Sequence, residues 1–450
     1  MDERRRAKEA VRTYVEDNRE GLIEFLSRLV AAESLPGEER PAQEVMVERF
    51  ESLGLEPDVW DADAEALRDH PGFFETTPYL EYGYEDRPNV AATIPGAGDG
   101  DGDDDGDGRS LAFSGHVDVV TPEPLDAWTY DPWEATVEDG RMYGRGTYDM
   151  KGGIAAWLHA VEALRACGVE LAGDLTLQTT IEEEAGGVGG VLSALERGYR
   201  PDAAVVAEPS GLPAVGVASA GVLYFRVTVH GRAAHTAHKF LGVDAVGKAA
   251  TVYHALEDLH RERNERYDDY PPAVNQYAEA AGSTTNLSVT SFEAGTWTST
   301  VPGKATMEFR VGWPPSTGED REDVREEVLE TIRSVAEDDE WLREHPPEVE
   351  WFGWSTDPHE FDVDSAFADV VFDNAEAVTG REVRYRGGLG GNDERFYNRY
   401  YDVPTPSVGP TGGNGHGPDE YVDVDSLVET AKVLAGVAVD WCGVADVDAD

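Results

Sequence analysis

Residues 151–207 read KGGIAAWLHAVEALRACGVELAGDLTLQTTIEEEAGGVGGVLSALERGYRPDAAVVA. Ile154, Trp157, Leu158 and Val161 recur at helical spacing and mark one face of a helix over 152–167. The pattern predicts a strand over 174–181, a helix over 189–197 and a strand over 203–207. Strands that alternate with helices pack side by side. The stretch therefore predicts an α/β fold, a parallel or mostly parallel sheet with helices on both faces.

Upstream, Val11, Tyr14, Val15, Leu22, Leu26 and Leu29 predict one helix over 8–33. Strands are predicted at 89–94 and 110–114, on either side of a Gly/Asp-rich loop at 96–108. In that loop Asp101, Asp103, Asp105 and Gly106 match the early positions of a calcium-binding loop. Ala112 stands where a bidentate glutamate is required, so the loop reads as a solvated acidic hairpin.

Downstream, the order is strand 222–230, helix 243–259, strands 286–291 and 305–311, helix 323–335 and strand 349–354. This βαββαβ order is that of a small split-βαβ, ferredoxin-like sandwich. A helix at 364–378, a strand at 382–386 and a closing helix from Val424 to about Trp441 then resume the first pattern. The expected organisation is a main domain in two parts, 1–217 and 356–450, with 218–355 inserted.

The chain has 450 residues, 40% apolar and 9% aromatic, enough for a folded protein of two domains. Ninety acidic against 37 basic residues give a net charge of −53, which repels nucleic acid and anionic membranes. Only six lysines occur. Such an acidic, lysine-poor surface resembles that of proteins from salt-accumulating, halophilic organisms, where salt screens self-repulsion. Two cysteines, Cys167 and Cys442, fit a reducing compartment. The first residues lack a secretory apolar run and no apolar stretch nears membrane-spanning length, so a cytoplasmic location is expected.

Candidate chemistry gathers at strand ends. His116, in Gly115-His116-Val117-Asp118, directly follows a strand, and imidazole is the commonest protein metal ligand. Asp118 is placed to accept a hydrogen bond from the other ring nitrogen. Alone, this motif also fits a turn histidine. Asp149 lies where the Gly-rich loop 144–153 meets the next helix. The spacing is not that of a phosphate-binding loop, and an acid at a loop apex suits a cation. Glu182-Glu183-Glu184 ends the strand 174–181. It reads either as a solvated acidic cluster or, by its place at a strand's C-terminal end, as part of a ligand site. Glu208 follows the strand 203–207, and His416 lies in a glycine-rich loop before the last helix.

His116, Asp149, Glu184, Glu208 and His416 form the ligand inventory of a paired-metal site: one bridging carboxylate and two ligands for each ion. Imidazole with carboxylate favours zinc, with cobalt or manganese as substitutes. Two cations about 3.5–4 Å apart deprotonate a shared water and polarise a carbonyl. A further, non-ligating carboxylate is then needed as general base, and the adjacent Glu183 is the candidate.

These motifs, with Glu208-Pro209-Ser210 and the late His416, resemble one family in the expected order over nearly the whole chain. It is the co-catalytic zinc deacylase and exopeptidase family of acetylornithine deacetylase, succinyl-diaminopimelate desuccinylase, aminoacylase and glutamate carboxypeptidase. The resemblance implies a zinc-exopeptidase-like main domain and an inserted lid through which the chain forms a homodimer. It implies that His116 and Glu208 bind one metal, that Glu184 and His416 bind the other, and that Asp149 bridges them. Asp118 would orient His116, and Glu183 would move the proton. Glutamate at 208 resembles the desuccinylase and deacetylase side of the family. His235, in Gly231-Arg-Ala-Ala-His235, resembles a family histidine that reaches across the dimer to the oxyanion, as developing charge requires. Its rival is a turn histidine. Arg310 matches an arginine that holds the substrate carboxylate, with a lid salt bridge as the competing reading.

The chain departs from the family at Ser299-Thr300-Val301-Pro302, where Asn-Val-Ile-Pro is usual, and at Asn392, where threonine is usual. Residues 61–85 match nothing assigned. The function expected is hydrolysis of the amide of an N-acyl amino acid, as in amino-acid biosynthesis. A dipeptidase or carboxypeptidase is the alternative within the same chemistry. A non-catalytic metal-binding protein is the alternative from another class, and the presence of Glu183 with all five ligands argues against it.

Overall fold

The computed structural model describes residues 3–97 and 108–445. The expected acidic hairpin falls largely on 98–107, outside the described residues.

Five strands form the central sheet, in the order Asp58–Asp61, Pro88–Ile94, Leu175–Thr180, Leu111–His116, Ala203–Val206. The last three run parallel, whereas Asp58–Asp61 and Pro88–Ile94 each pair antiparallel. The sheet is thus mixed rather than mostly parallel. Parallel neighbours need a long crossover, normally a helix. Helices Lys151–Ala166 and Ser193–Arg197 supply it for the parallel strands. A further strand, Ala214–Ser219, pairs parallel with Arg384–Gly387 and antiparallel with His359–Glu360, and Ser407 bridges it to Ala203–Val206.

Helix Lys151–Ala166 is buried nearly all round, not on one face, because it lies between the sheet and the closing helix Val424–Cys442. The helix expected over 8–33 is two, Glu3–Asp17 and Arg19–Ala31. Asn18 breaks it by leaving helical angles (φ −113°, ψ 22°) while its side-chain amide donates to Tyr14 O at 2.8 Å.

The second sheet is wholly antiparallel, in the order Asn286–Ala294, Lys304–Trp313, Gly221–His230, Glu348–Thr356. Helices Ala245–Arg266 and Arg321–Asp338 pack against it. Alternation puts Leu223, Phe225, Val227 and Val229 into a core separate from that of the central sheet, and leaves Tyr224, Arg226 and Thr228 partly open. Buried Asp357 ties the two parts: it accepts from Arg321 N at 2.7 Å and pairs with Arg399 at 3.2 Å. No helix among the described residues is long and apolar enough to cross a membrane.

With a net charge of −53, self-repulsion opposes the compact state. Raising KCl from roughly 0.1 M to roughly 3 M is expected to raise the thermal unfolding midpoint in scanning calorimetry. An unchanged or falling midpoint would count against the halophilic reading of the surface.

Candidate metal centre

The parallel strands deliver their C-terminal ends to one edge of the sheet, where ligand sites of α/β folds lie. His116 ends its strand, and the Glu182–Glu184 run and Glu208 follow theirs within a few residues. His116 Nε2 lies 3.4 Å from Asp149 Oδ1, 3.3 Å from Glu208 Oε1 and 3.8 Å from Glu183 Oε2. His416 Nε2 lies 3.4 Å from Asp149 Oδ2 and 3.0 Å from Glu184 Oε2. All five expected ligands are thereby brought together as two trios that share Asp149, the candidate ligand atoms of each within 4.8 Å of one another.

The three adjacent glutamates do not compete, because each faces a different partner. Glu182 has a positive φ of 68° and turns to the Thr76 hydroxyl, with Arg87 3.8 Å away. Glu183 faces His116 and Glu184 faces His416. Gly187, also at positive φ, completes the turn, and a Cβ there would lie 1.9 Å from Asp393 Oδ1. Thr76 belongs to the unassigned stretch 61–85, as does Phe74, whose ring closes on Gly186. That stretch is one wall of the glutamate loop.

Main-chain contacts hold the candidate ligands in place. His116 Nδ1 is 2.9 Å from Asp118 O, and the Asp118 carboxylate is 3.6 Å from the same nitrogen. The carboxylate oxygens accept from Glu183 N at 3.2 Å and Glu184 N at 3.1 Å, so Asp118 also joins two loops. Glu420 Oε1 accepts from Tyr148 N at 3.0 Å and Asp149 N at 3.1 Å, while Arg145 pairs with its other oxygen. Arg145 and Glu420 are both buried, and sequence reasoning missed both. Arg145 stands inside the loop 144–153, and Glu420 follows His416 by four residues; neither carries a signal beyond that adjacency.

The site concentrates negative charge. Burial pushes Asp118 and Glu208 up to about 7, with Asp149 adding to the shift of Glu208. Burial also pushes Glu183 well above the usual carboxylate range, and Glu208 and Asp393 reinforce it against the pull of His116. Asp149 and Glu184 raise His416 to about 11. His116 Nε2 and Glu184 Oε1 are buried without a hydrogen-bond partner. Imidazole and carboxylate donors, orphaned and crowded in this way, fit divalent cations such as zinc.

A cavity of about 760 Å³ opens beside the trios, lined among others by Tyr148, Tyr224, Tyr277, Trp354, Arg310 and Arg386. Arg310 comes from strand Lys304–Trp313 and donates to Leu389 O at 2.9 Å and to Asn286 Oδ1. Gly391 and Asn392 also line it. His235 does not. It is exposed on the short strand Ala234–His235, paired with Thr300 of the departing segment, and its Nδ1 accepts from Ala237 N at 3.1 Å.

Residues 112–440 match the sequence profile of Peptidase family M20/M25/M40. The chain is 28% identical to the N-formyl-4-amino-5-aminomethyl-2-methylpyrimidine deformylase of Halalkalibacterium halodurans, over 96% of this chain and 97% of that protein. It is 26% identical to the protein of the same name from Bacillus subtilis, over 95% and 96%. Among solved structures, the M20 family metallo-carboxypeptidase Sso-CP2 of Sulfolobus solfataricus has the same fold, with a TM-score of 0.70 at 19% identity over 97% of this chain and 99% of that one. The two curated relatives are named as deformylases, so the finer likeness to acetylornithine deacetylase finds no support in them.

Glu420→Gln would leave Arg145 buried without its charge partner. Urea denaturation is expected to show a loss of about 3–5 kcal/mol. A loss under about 1 kcal/mol would mean that the pair does not hold the Asp149 loop.

Proposed function

The chain belongs to Peptidase family M20/M25/M40, and from that premise we propose that it hydrolyses the amide of an N-acyl amino acid with Glu183 as general base. The observation that carries this is the pair of trios sharing Asp149, with Glu183 beside both His116 and the cavity. His116 and Glu208 would hold one cation, Glu184 and His416 the other, and Asp149 would serve both. When bound, two divalent ions, zinc by the donor set with cobalt or manganese as substitutes, supply Lewis acidity to the amide carbonyl and acidify the attacking water.

Glu183 takes the proton of that water and delivers it to the nitrogen of the leaving amine. A carboxylate outside both trios that lines the cavity beside His116 is placed for both halves of the transfer. Asp118 fixes the backbone of Glu183 and Glu184, so the base is held in place beside its loop neighbour. Arg310 holds the substrate carboxylate with its planar fork.

Residues 218–355 act as an inserted lid and dimerisation domain between the parts 1–217 and 356–450. Support for the dimer is apolar surface on that unit: Phe240 (81% exposed), Leu241 (59%) and Trp297 (73%). His235 neighbours Phe240 in sequence and lies away from its own chain's cavity, which suits donation to the oxyanion of a second copy.

A second reading is deformylation of an N-formylaminomethylpyrimidine. It is favoured by the names of the 28% and 26% identical relatives and by the aromatic lining of Tyr148, Tyr224, Tyr277 and Trp354, which suits a flat ring. A panel of N-acetyl, N-succinyl and N-formyl amino acids, dipeptides and the formylaminopyrimidine, assayed for amine release with zinc or cobalt, separates the readings.

Glu183→Gln is expected to lower kcat by about 10²–10⁴ on the preferred substrate while metal content, read by atomic emission, stays at two ions per chain. Retained turnover would remove Glu183 from the mechanism. His235→Ala is expected to lower kcat by about 10²–10³. Mixing Glu183→Gln with His235→Ala protein should recover activity, because one of the two sites in a mixed dimer carries both groups. No recovery from a mixture shown to exchange subunits would reject the role in trans.

A further inference from the structure

Four carboxylates and two guanidinium groups line the cavity: Asp149, Glu183, Glu184 and Glu208, with Arg310 and Arg386. Two divalent cations at the trios would balance the four carboxylates. The two arginines then stand uncompensated. Among the described residues, neither has a carboxylate oxygen within 4.0 Å; their recorded partners are neutral oxygens. The cavity thus holds two guanidinium groups without a carboxylate partner, inside a chain whose net charge is −53.

Arg310 enters from the second sheet. Arg386 enters from the main body, on strand Arg384–Gly387. Its Nη1 donates to Ser210 O, two residues beyond Glu208. Gly211 makes room for it, since a Cβ there would lie 2.9 Å from that nitrogen. The Tyr148 hydroxyl, next in sequence to Asp149, is its other neighbour. The guanidinium is therefore fixed against the two loops that carry Asp149 and Glu208, with N–H donors left for a ligand out of the five it has. A planar fork of this kind is suited to a carboxylate.

We propose that Arg386 is a second anion anchor of this cavity and selects N-acyl amino acids that carry two carboxylates, one for Arg310 and one for Arg386. The inference rests on the deacylase reading above. The second carboxylate belongs either to the side chain of the leaving amino acid or to the acyl group, and the chemistry of recognition is the same.

The test uses zinc-loaded Glu183→Gln protein, which keeps the amide intact, titrated calorimetrically with N-acetyl-L-glutamate, N-succinyl-L-alanine and N-acetyl-L-alanine. Adding Arg386→Ala is expected to weaken one of the two dicarboxylates at least about tenfold and the monocarboxylate less than about twofold. Whichever dicarboxylate loses affinity tells which side of the amide Arg386 faces. Arg386→Lys, which keeps the charge, should recover part of the loss and guards against a misfolded alanine variant. Equal weakening of all three ligands, no weakening of either dicarboxylate, or no binding of either dicarboxylate to the protein that retains Arg386 would overturn the proposal. Turnover by the wild-type protein is scored separately. Hydrolysis of N-acyl amino acids without an Arg386 effect leaves the deacylase reading standing and the anchor rejected. A dicarboxylate preference without hydrolysis leaves the reverse.

Discussion

A single carboxylate lies between two imidazoles, and the local architecture serves to keep it there. Asp149 faces His116 with one oxygen and His416 with the other. Its backbone N–H is held by Glu420, whose charge is met by Arg145, and that ion pair is buried. The next helix starts two residues later, and Lys151 anchors it by donating to Leu29 O at 2.9 Å and Ala32 O at 2.8 Å. Burial pulls the Lys151 amine down to about 7. The imidazoles and the other carboxylates reach Asp149 because the parallel strands end at one edge of the sheet.

The five candidate ligands are legible because each stands at a transition the sequence marks: an apolar run ending, or a glycine-rich loop before a helix. The contacts that hold them are not. Glu420 and Arg145 look like any other acid and base in a chain with 90 acidic residues, and only three-dimensional closure gives them a purpose. The run Glu182-Glu183-Glu184 was ambiguous because periodicity carries no direction; one residue at positive φ sends the first side chain away from the other two. Strand direction was misjudged for a related reason. Apolar alternation predicts a strand but not which way it runs, and only the pairing of Pro88–Ile94 with Leu175–Thr180 shows that it is antiparallel. Asn18 is similar, since its neighbours keep helical spacing across a real break.

The second sheet reaches the site through side chains of three strands, the central Lys304–Trp313 and Gly221–His230 and the edge strand Glu348–Thr356. Arg310 and Trp354 line the cavity from it, and the Trp354 indole N–H points at Glu184 O, 3.4 Å away. Asp357 and Arg321 fasten the unit to the main body, and Arg321 also donates to Pro71 O at 2.7 Å, within the stretch 61–85. That stretch, opaque in the sequence, therefore touches both the glutamate loop and the second unit.

Asp118 and Glu420 share a property with wider reach. Each spends carboxylate oxygen on the main-chain N–H groups of a ligand-bearing loop, Asp118 on Glu183 and Glu184, Glu420 on Tyr148 and Asp149. None of these four bonds involves a cation. These bonds tie the two loops to the fold independently of an ion, which lowers the chain entropy that binding a cation would have to overcome. A site tied in this way would release an ion and take it up again without refolding, so exchange of one metal for another would be a matter of diffusion and ligand affinity rather than of reassembly.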